Sequence, residues 1–289
     1  MPASQQTFCD SNLLTQIGGL VCDEDNNIYA CNFGSPTASI IKIDPHGVAT
    51  LLTEQYGSDR NFVSMVYLDK FLYVTGFNKQ VYKVDIHTGK LTTFTTLPED
   101  TTDAGTNGIT YYKHHFYVVT QDGPNSGNVY KVDHDGKNEI FIDKSDLIGT
   151  QYNCIVNDKE GNFYITDEGN STVVKYDKHG KMVNKEFMYG QYQSLLIHDE
   201  NIYVTNYLIN QISQYDMDGT LININVAYGG LTFAGGGMTF NQRDEFFCSL
   251  ESEKGPGSGN VTIQMKQIQK EMVAERRGTY TKGEFRVDK

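Results

Sequence analysis

No stretch of this chain approaches the ~20 consecutive apolar residues that a membrane-spanning helix needs, and residues 1–20 lack the layout of a secretory leader. Basic residues are outnumbered, 24 Lys and Arg against 36 Asp and Glu, for a net charge of −12. That balance argues against nucleic acid or an anionic membrane as the main partner, since both need a positive surface. Tryptophan is absent and cysteine is scarce. The five cysteines (Cys9, Cys22, Cys31, Cys154, Cys248) are an odd number without metal-type spacing. Four of them fall inside or at the end of predicted strands, where a cysteine serves as a small buried hydrophobe. Together these absences point to a soluble chain in a reducing, cytoplasmic setting. The sequence also has no Gly-x-Ser-x-Gly elbow, no phosphate loop and no zinc-type Cys/His cluster.

Tyrosine (19) and phenylalanine (15) are plentiful, a composition that suits strands. Six apolar triplets recur: Tyr29-Ala30-Cys31, Tyr73-Val74-Thr75, Val118-Val119-Thr120, Tyr164-Ile165-Thr166, Tyr203-Val204-Thr205 and Phe247-Cys248-Ser249. They are spaced 44, 45, 46, 39 and 44 residues apart. A period in this range with several short strands per unit predicts an all-β, six-bladed propeller, one four-stranded blade per repeat. Each unit starts an inner strand at Gly19, Ser64, Gly108, Cys154, Ser194 or Gly237 and returns through a tight polar turn. The third strands end on Asp44, Asp85, Asp133, Asp177 and Asp216, each followed within a few residues by glycine. These aspartates read as turn architecture, accepting backbone hydrogen bonds while glycine takes the positive φ.

The sixth unit departs from the pattern. A Gly255-Pro256-Gly257-Ser258-Gly259 insert separates its second strand from the third, and its fourth strand must come from elsewhere. The leader Gln6-Thr7-Phe8-Cys9 is expected to supply it and so close the ring. The propeller is expected over residues 1–266. Residues 267–289 form a short basic C-terminal tail with apolar residues at helical spacing; the segment 261–289 carries seven Lys/Arg against four Asp/Glu.

The run from Gly161 to Val173 (GNFYITDEGNSTV) resembles the NHL repeat, and Asn107-Gly108-Ile109 is similar to the inner-strand start shared with senescence-marker and gluconolactonase-like propellers. One departure is Thr172, where the NHL pattern has Arg. The resemblance implies that the residue before each Gly-Ile or Gly-Leu pair faces the channel mouth, which gives Gly18, Val63, Asn107, Asn153, Gln193 and Gly236. It also implies a divalent-metal site of one Glu, one Asp and Asn side chains. Asn107 and Asn153 match the Asn positions, Gln193 stands at the Asp position, and the Glu position falls on Ile17 or Gly18.

Three amides offer oxygens to a cation such as calcium but no charge. Asp167 and Glu168 follow the second strand of blade four and are the carboxylates within reach; the metal set, if there is one, is Asn107, Asn153 and Asp167. No histidine falls at the mouth: His46, His87, His114, His115, His134, His179 and His198 all map to turns on the opposite face. One residue earlier than the channel positions come Phe62, Tyr152 and Tyr192, with Tyr207 near them. Such rings either stack on a ligand or wedge between blades. The sequence therefore favours a non-catalytic binding propeller without cofactor, holding a polar small molecule or protein segment on Asn107, Asn153, Gln193, Tyr152, Tyr192 and Phe62. Two alternatives stay open: a metal-dependent lactonase or ester hydrolase using calcium or another divalent cation, and a structural subunit of a larger assembly.

Overall fold

The structure, a computed structural model, describes residues 5–32, 37–56, 62–76, 78–98, 104–122, 125–147, 151–206, 211–228, 237–251 and 261–267. They form six four-stranded antiparallel sheets. Blade one is β2 (Ile17–Cys22), β3 (Ile28–Asn32), β4 (Thr37–Ile43) and β5 (Ala49–Tyr56). Blade two is β6 (Phe62–Leu68), β7 (Phe71–Gly76), β8 (Gln80–Asp85) and β9 (Leu91–Thr96). Blade three is β10 (Ala104–Tyr112), β11 (His115–Asp122), β12 (Asn125–Val132) and β13 (Asn138–Ile142). Blade four is β14 (Tyr152–Asn157), β15 (Phe163–Asp167), β16 (Thr172–Tyr176) and β17 (Met182–Tyr189). Blade five is β18 (Tyr192–His198), β19 (Asn201–Asn206), β20 (Gln211–Asp216) and β21 (Leu221–Tyr228).

Blade six joins β22 (Met238–Phe240), β23 (Glu245–Glu251) and β24 (Val261–Gln267) to β1 (Gln6–Asp10), in the order β1-β24-β23-β22. The N-terminal strand therefore closes the ring, as the sequence predicts. Its register is Gln6 opposite Met265 and Asp10 opposite Thr262, and Phe8 meets Phe247 edge-on at 4.9 Å. Met265 is a strand residue of blade six; the rest of the predicted tail, residues 268–289, lies outside the described residues.

Six apolar clusters fill the six blade junctions; a second-strand tyrosine leads each of the first five blades into the next, and Phe247 leads blade six into blade one. Tyr29 packs with Phe62 and Met65, Tyr117 with Tyr152 and Phe163, Tyr164 with Tyr192 and Leu195, and Tyr203 with Phe246 and Met238. Outer turns lock the same junctions. Gly89, at φ 68°, lies so close to the Leu52 carbonyl of blade one that a Cβ there would sit 2.1 Å from it. Position and conformation both demand glycine.

The third-strand aspartates do what the spacing predicts. Asp44 Oδ1 accepts from the Val48 and His46 N–H groups, and Asp133, Asp177 and Asp216 repeat the pattern. These donors hold the carboxyls of Asp44, Asp85 and Asp177 below the ordinary range, led by the N–H groups of Val48, Thr88 and Lys181 respectively. A lowered folded pKa contributes stability above the unfolded value near ~3.9, lost as pH falls through the folded one. The melting temperature should therefore fall on acidification below about pH 5. Replacing Asp44, Asp85 and Asp177 together by Asn, which still accepts these bonds, should flatten that limb; an unchanged acid profile would contradict the assignment.

A second device repeats on the inner strands. Pairing of the first two strands slips just after the residue that enters the core: between Ile17 and Gly19, Phe62 and Met65, Thr106 and Ile109, Tyr152 and Ile155, and Tyr192 and Leu195. In blades one, two, four and five, an N–H freed by the bulge finds a side chain at the end of the second strand. Ser64 donates to Thr75 Oγ1 (3.2 Å), Cys154 to Thr166 Oγ1 (2.9 Å) and Ser194 to Thr205 Oγ1 (3.0 Å), while Gly19 donates to Cys31 Sγ (3.0 Å). Thr166→Val keeps the shape and removes the acceptor. It should cost about 1–3 kcal/mol in urea unfolding, and Thr166→Ser much less; equal costs would show that the hydroxyl is not what matters.

Candidate functional site

The bulges decide what faces the channel. A slip of one residue turns the next side chain to the other face of the strand. Tyr152 lies opposite Asp167 and points into the junction core, whereas Asn153 and Gln193 occupy equivalent places within the bulges of β14 and β18. Inner strands of neighbouring blades meet there: a Cβ on Gly18 would touch the Val63 carbonyl, and one on Gly108 would touch backbone of Asn153 and Cys154. Asn107, Asn153 and Glu168 form one hydrogen-bonded chain across blades three and four. Asn107 Nδ2 donates to Asn153 Oδ1 (2.7 Å), and Asn153 Nδ2 donates to Glu168 Oε2. The buried Thr75 hydroxyl donates to the Asn107 carbonyl and ties blade two to this group. Gln193 Oε1 is buried with no hydrogen-bond partner among the described residues.

Among the described residues the carboxylate that meets these amides is Glu168, and Asp167 is turned to another task. Asp167 is 1% exposed and caps the turn after β15, taking the Asn170 N–H on Oδ1 and its Nδ2 on Oδ2 (2.7 Å). The three predicted ring positions are core wedges. Phe62 and Tyr152 are 0% exposed and Tyr192 is 4% exposed. The Tyr192 hydroxyl donates to the Tyr189 carbonyl and pairs with that of Tyr215. Buried rings offer no stacking face, so these residues are corrected from ligand contacts to packing. Gly236 and Tyr207 lie outside the described residues.

Sequence reasoning named Glu168 beside Asp167 but missed a second group altogether. His198, at the end of β18, Asp199 and Asp244 bring one ring nitrogen and two carboxylate oxygens within 4.8 Å of one another. This His/Asp/Asp group, able to hold a metal ion, lies on the face opposite the mouth, as do all the other histidines in their hairpin and third-strand turns. A cavity of about 690 Å³ opens beside it, between blades four and five. The cysteines are all free, and burial pushes the thiols of Cys31 and Cys248 up to about 12. They are poor nucleophiles. No helix among the described residues is long and apolar enough to cross a membrane.

The fold is that of a six-bladed β-propeller closed by its N-terminal strand. No family model and no curated protein matches the chain. Among solved structures, it is similar to a calcium-binding protein, regucalcin, from Agrobacterium tumefaciens, with 15% identity and a TM-score of 0.69 over 93% of this chain and 96% of that one. A gluconolactonase from Xanthomonas campestris gives 13% and 0.68 over 91% and 88%. A catalytically inactive variant of virginiamycin B lyase from Staphylococcus aureus, solved with quinupristin, gives 11% and 0.63 over 92% and 100%.

At these identities the likeness establishes the fold. The expectation of a non-enzyme without cofactor is corrected by a group of metal-binding chemistry among the described residues. The frame is one that a gluconolactonase and a lyase share. The described residues add a His/Asp/Asp group of metal-binding chemistry and a carboxylate beside the mouth amides. For the rings, Tyr152→Ala should behave as a core truncation, costing about 3–5 kcal/mol in chemical unfolding. A fully stable variant would show that the ring is not a wedge.

Proposed function

We propose that this chain is a metal-dependent hydrolase of lactones or related small polar esters, working at the channel mouth. The observation that carries the reading is the chain Asn107–Asn153–Glu168, which sets two amides and one carboxylate side by side on neighbouring blades. A hard divalent cation such as calcium takes oxygen ligands of this kind. The orphaned, buried Gln193 Oε1 is a further acceptor at the equivalent position of the next blade. Asn107, Asn153, Glu168 and Gln193 are the residues that would hold the ion. When bound, it would polarise a substrate carbonyl and lower the pKa of a water.

The protein's own part is positioning. Asn153 is gripped by Asn107 on one side and Glu168 on the other, so its amide is preorganised. The amide N–H groups of Asn107 and Asn153 suit the oxygens of a polyhydroxylated substrate. With every histidine on the other face, Glu168 supplies the carboxylate charge of this group. The similarity in fold to a gluconolactonase supports the substrate class. Five free thiols support a reducing, cytoplasmic setting.

The test is lactone hydrolysis in a pH-stat, with thermal melting in calcium, manganese and EDTA. Activity should vanish in EDTA and return with metal, and the melting temperature should rise with metal concentration. Glu168→Gln should keep the metal-free melting temperature, abolish the calcium shift and lower kcat/KM by about 100-fold or more. Hydrolysis that survives Glu168→Gln, or no hydrolysis with any of these ions, would sink the proposal.

A further inference from the structure

On the face away from the mouth, polar contacts between turns link neighbouring blades. Lys70 pairs with Glu24 between blades one and two, and Lys159 with Glu200 between blades four and five. The Tyr112 hydroxyl donates to the Glu160 carbonyl (3.1 Å) between blades three and four, and Gln242 N–H donates to Asn26 Oδ1 (3.1 Å) between blades six and one. Between blades five and six the contact is of another kind. His198 Nε2 lies 3.1 Å from Asp244 Oδ1, with Asp199 beside them.

We propose that His198, Asp199 and Asp244 form a second metal site, separate from the mouth, which takes a divalent ion of the zinc type and ties blade five to blade six. The donor set favours that choice. One imidazole nitrogen with two carboxylates suits zinc or cobalt, whereas calcium wants six to eight oxygens. Spacing agrees as well. Bonds of ~2.0–2.1 Å to a tetrahedral ion put neighbouring ligand atoms ~3.3 Å apart, and His198 Nε2 and Asp244 Oδ1 already stand at 3.1 Å. The atoms that share a hydrogen bond without metal would form one edge of its polyhedron.

The imidazole is also held in place. It stacks on Phe240 at 3.8 Å and 8°, and Phe240 packs on Tyr203 and Phe246. Fixing the ring plane in this way is what surrounding groups do for ligating histidines. Asp199 and Asp244 occupy left-handed turn positions, φ 47° and 60°, which aspartate tolerates. The same turn conformation at Asp69-Lys70 in blade two and Lys113-His114 in blade three carries no such set. The surroundings attract cations, since the adjoining cavity is lined by five carboxylates (Asp158, Glu160, Asp199, Glu200, Asp218) against Lys159 and Lys175. The ion would stiffen the junction beside the closing blade, whose inner strand β22 is three residues long.

The experiment uses the full chain carrying Glu168→Gln, so that the mouth is silent. Cobalt(II) should give a visible d–d absorption band that saturates at one equivalent. Zinc should compete it away and raise the melting temperature, and calcium should do neither. Adding Asp199→Asn and Asp244→Asn keeps the turns and should weaken cobalt binding by about tenfold or more. Absence of the band, or a band and zinc shift that survive both Asn substitutions, would overturn the site. His198→Gln serves as a third variant where it folds. A calcium response lost in Glu168→Gln bears on the mouth and leaves this result untouched.

Discussion

The threonine hydroxyl that closes a blade's second strand and binds the bulged N–H of the first is the contact on which the mouth depends. A regular ladder would continue the two-residue alternation from Tyr152 onward and carry Asn153 to a different side. The bulge between Tyr152 and Ile155 breaks the alternation, and Thr166 satisfies the amide that the break exposes. Thr75 and Thr205 repeat the device, and Cys31 does so with sulfur. The recurring triplet ending in Thr is therefore more than a strand signature. In blades one, two, four and five its last residue aims the side chain of the neighbouring strand, and among the described residues five blades carry a bulge between their first two strands.

The two faces then carry different chemistry by construction. At the proposed mouth, the bulges of blades three and four present Asn107 and Asn153, and Glu168 follows β15 to meet them. At the other face, hairpin and third-strand turns present the charged and imidazole groups, which meet across junctions as ion pairs or, at His198 and Asp244, as a nitrogen beside an oxygen. Propeller geometry explains the partition, because successive strands of a blade alternate in direction and deliver their turns to alternate faces.

Much of this was legible in the sequence for local reasons. Blade period, ring closure by Gln6–Asp10 and the aspartate turns each rest on short-range patterns that the fold leaves intact. Asn107, Asn153 and Gln193 could be named as candidates because the repeat marks equivalent positions. What failed turned on single-residue choices. Asp167 and Glu168 are neighbours, and turn capping by Asn170 takes the first and leaves the second for Asn153. Phe62, Tyr152 and Tyr192 sit one residue before the bulge, on the side that fills the junction, and periodicity cannot say on which side a slip begins. His198 and Asp244 are 46 residues apart in turns of different blades, so their meeting depends on how one blade sits against the next. One signal was available: both residues occupy the same inner hairpin of consecutive repeats.

Thr7 and Gln264 are hydrogen-bonded across 257 residues of sequence. During synthesis, β1 emerges first yet waits for its partner until five other blades have been made. Loop closure of that span opposes early pairing, so the last sheet forms late and the leading strand meanwhile presents a bare edge to other molecules. A nascent chain of this design is most exposed to mispairing, and most in need of a chaperone, in the interval before β24 arrives.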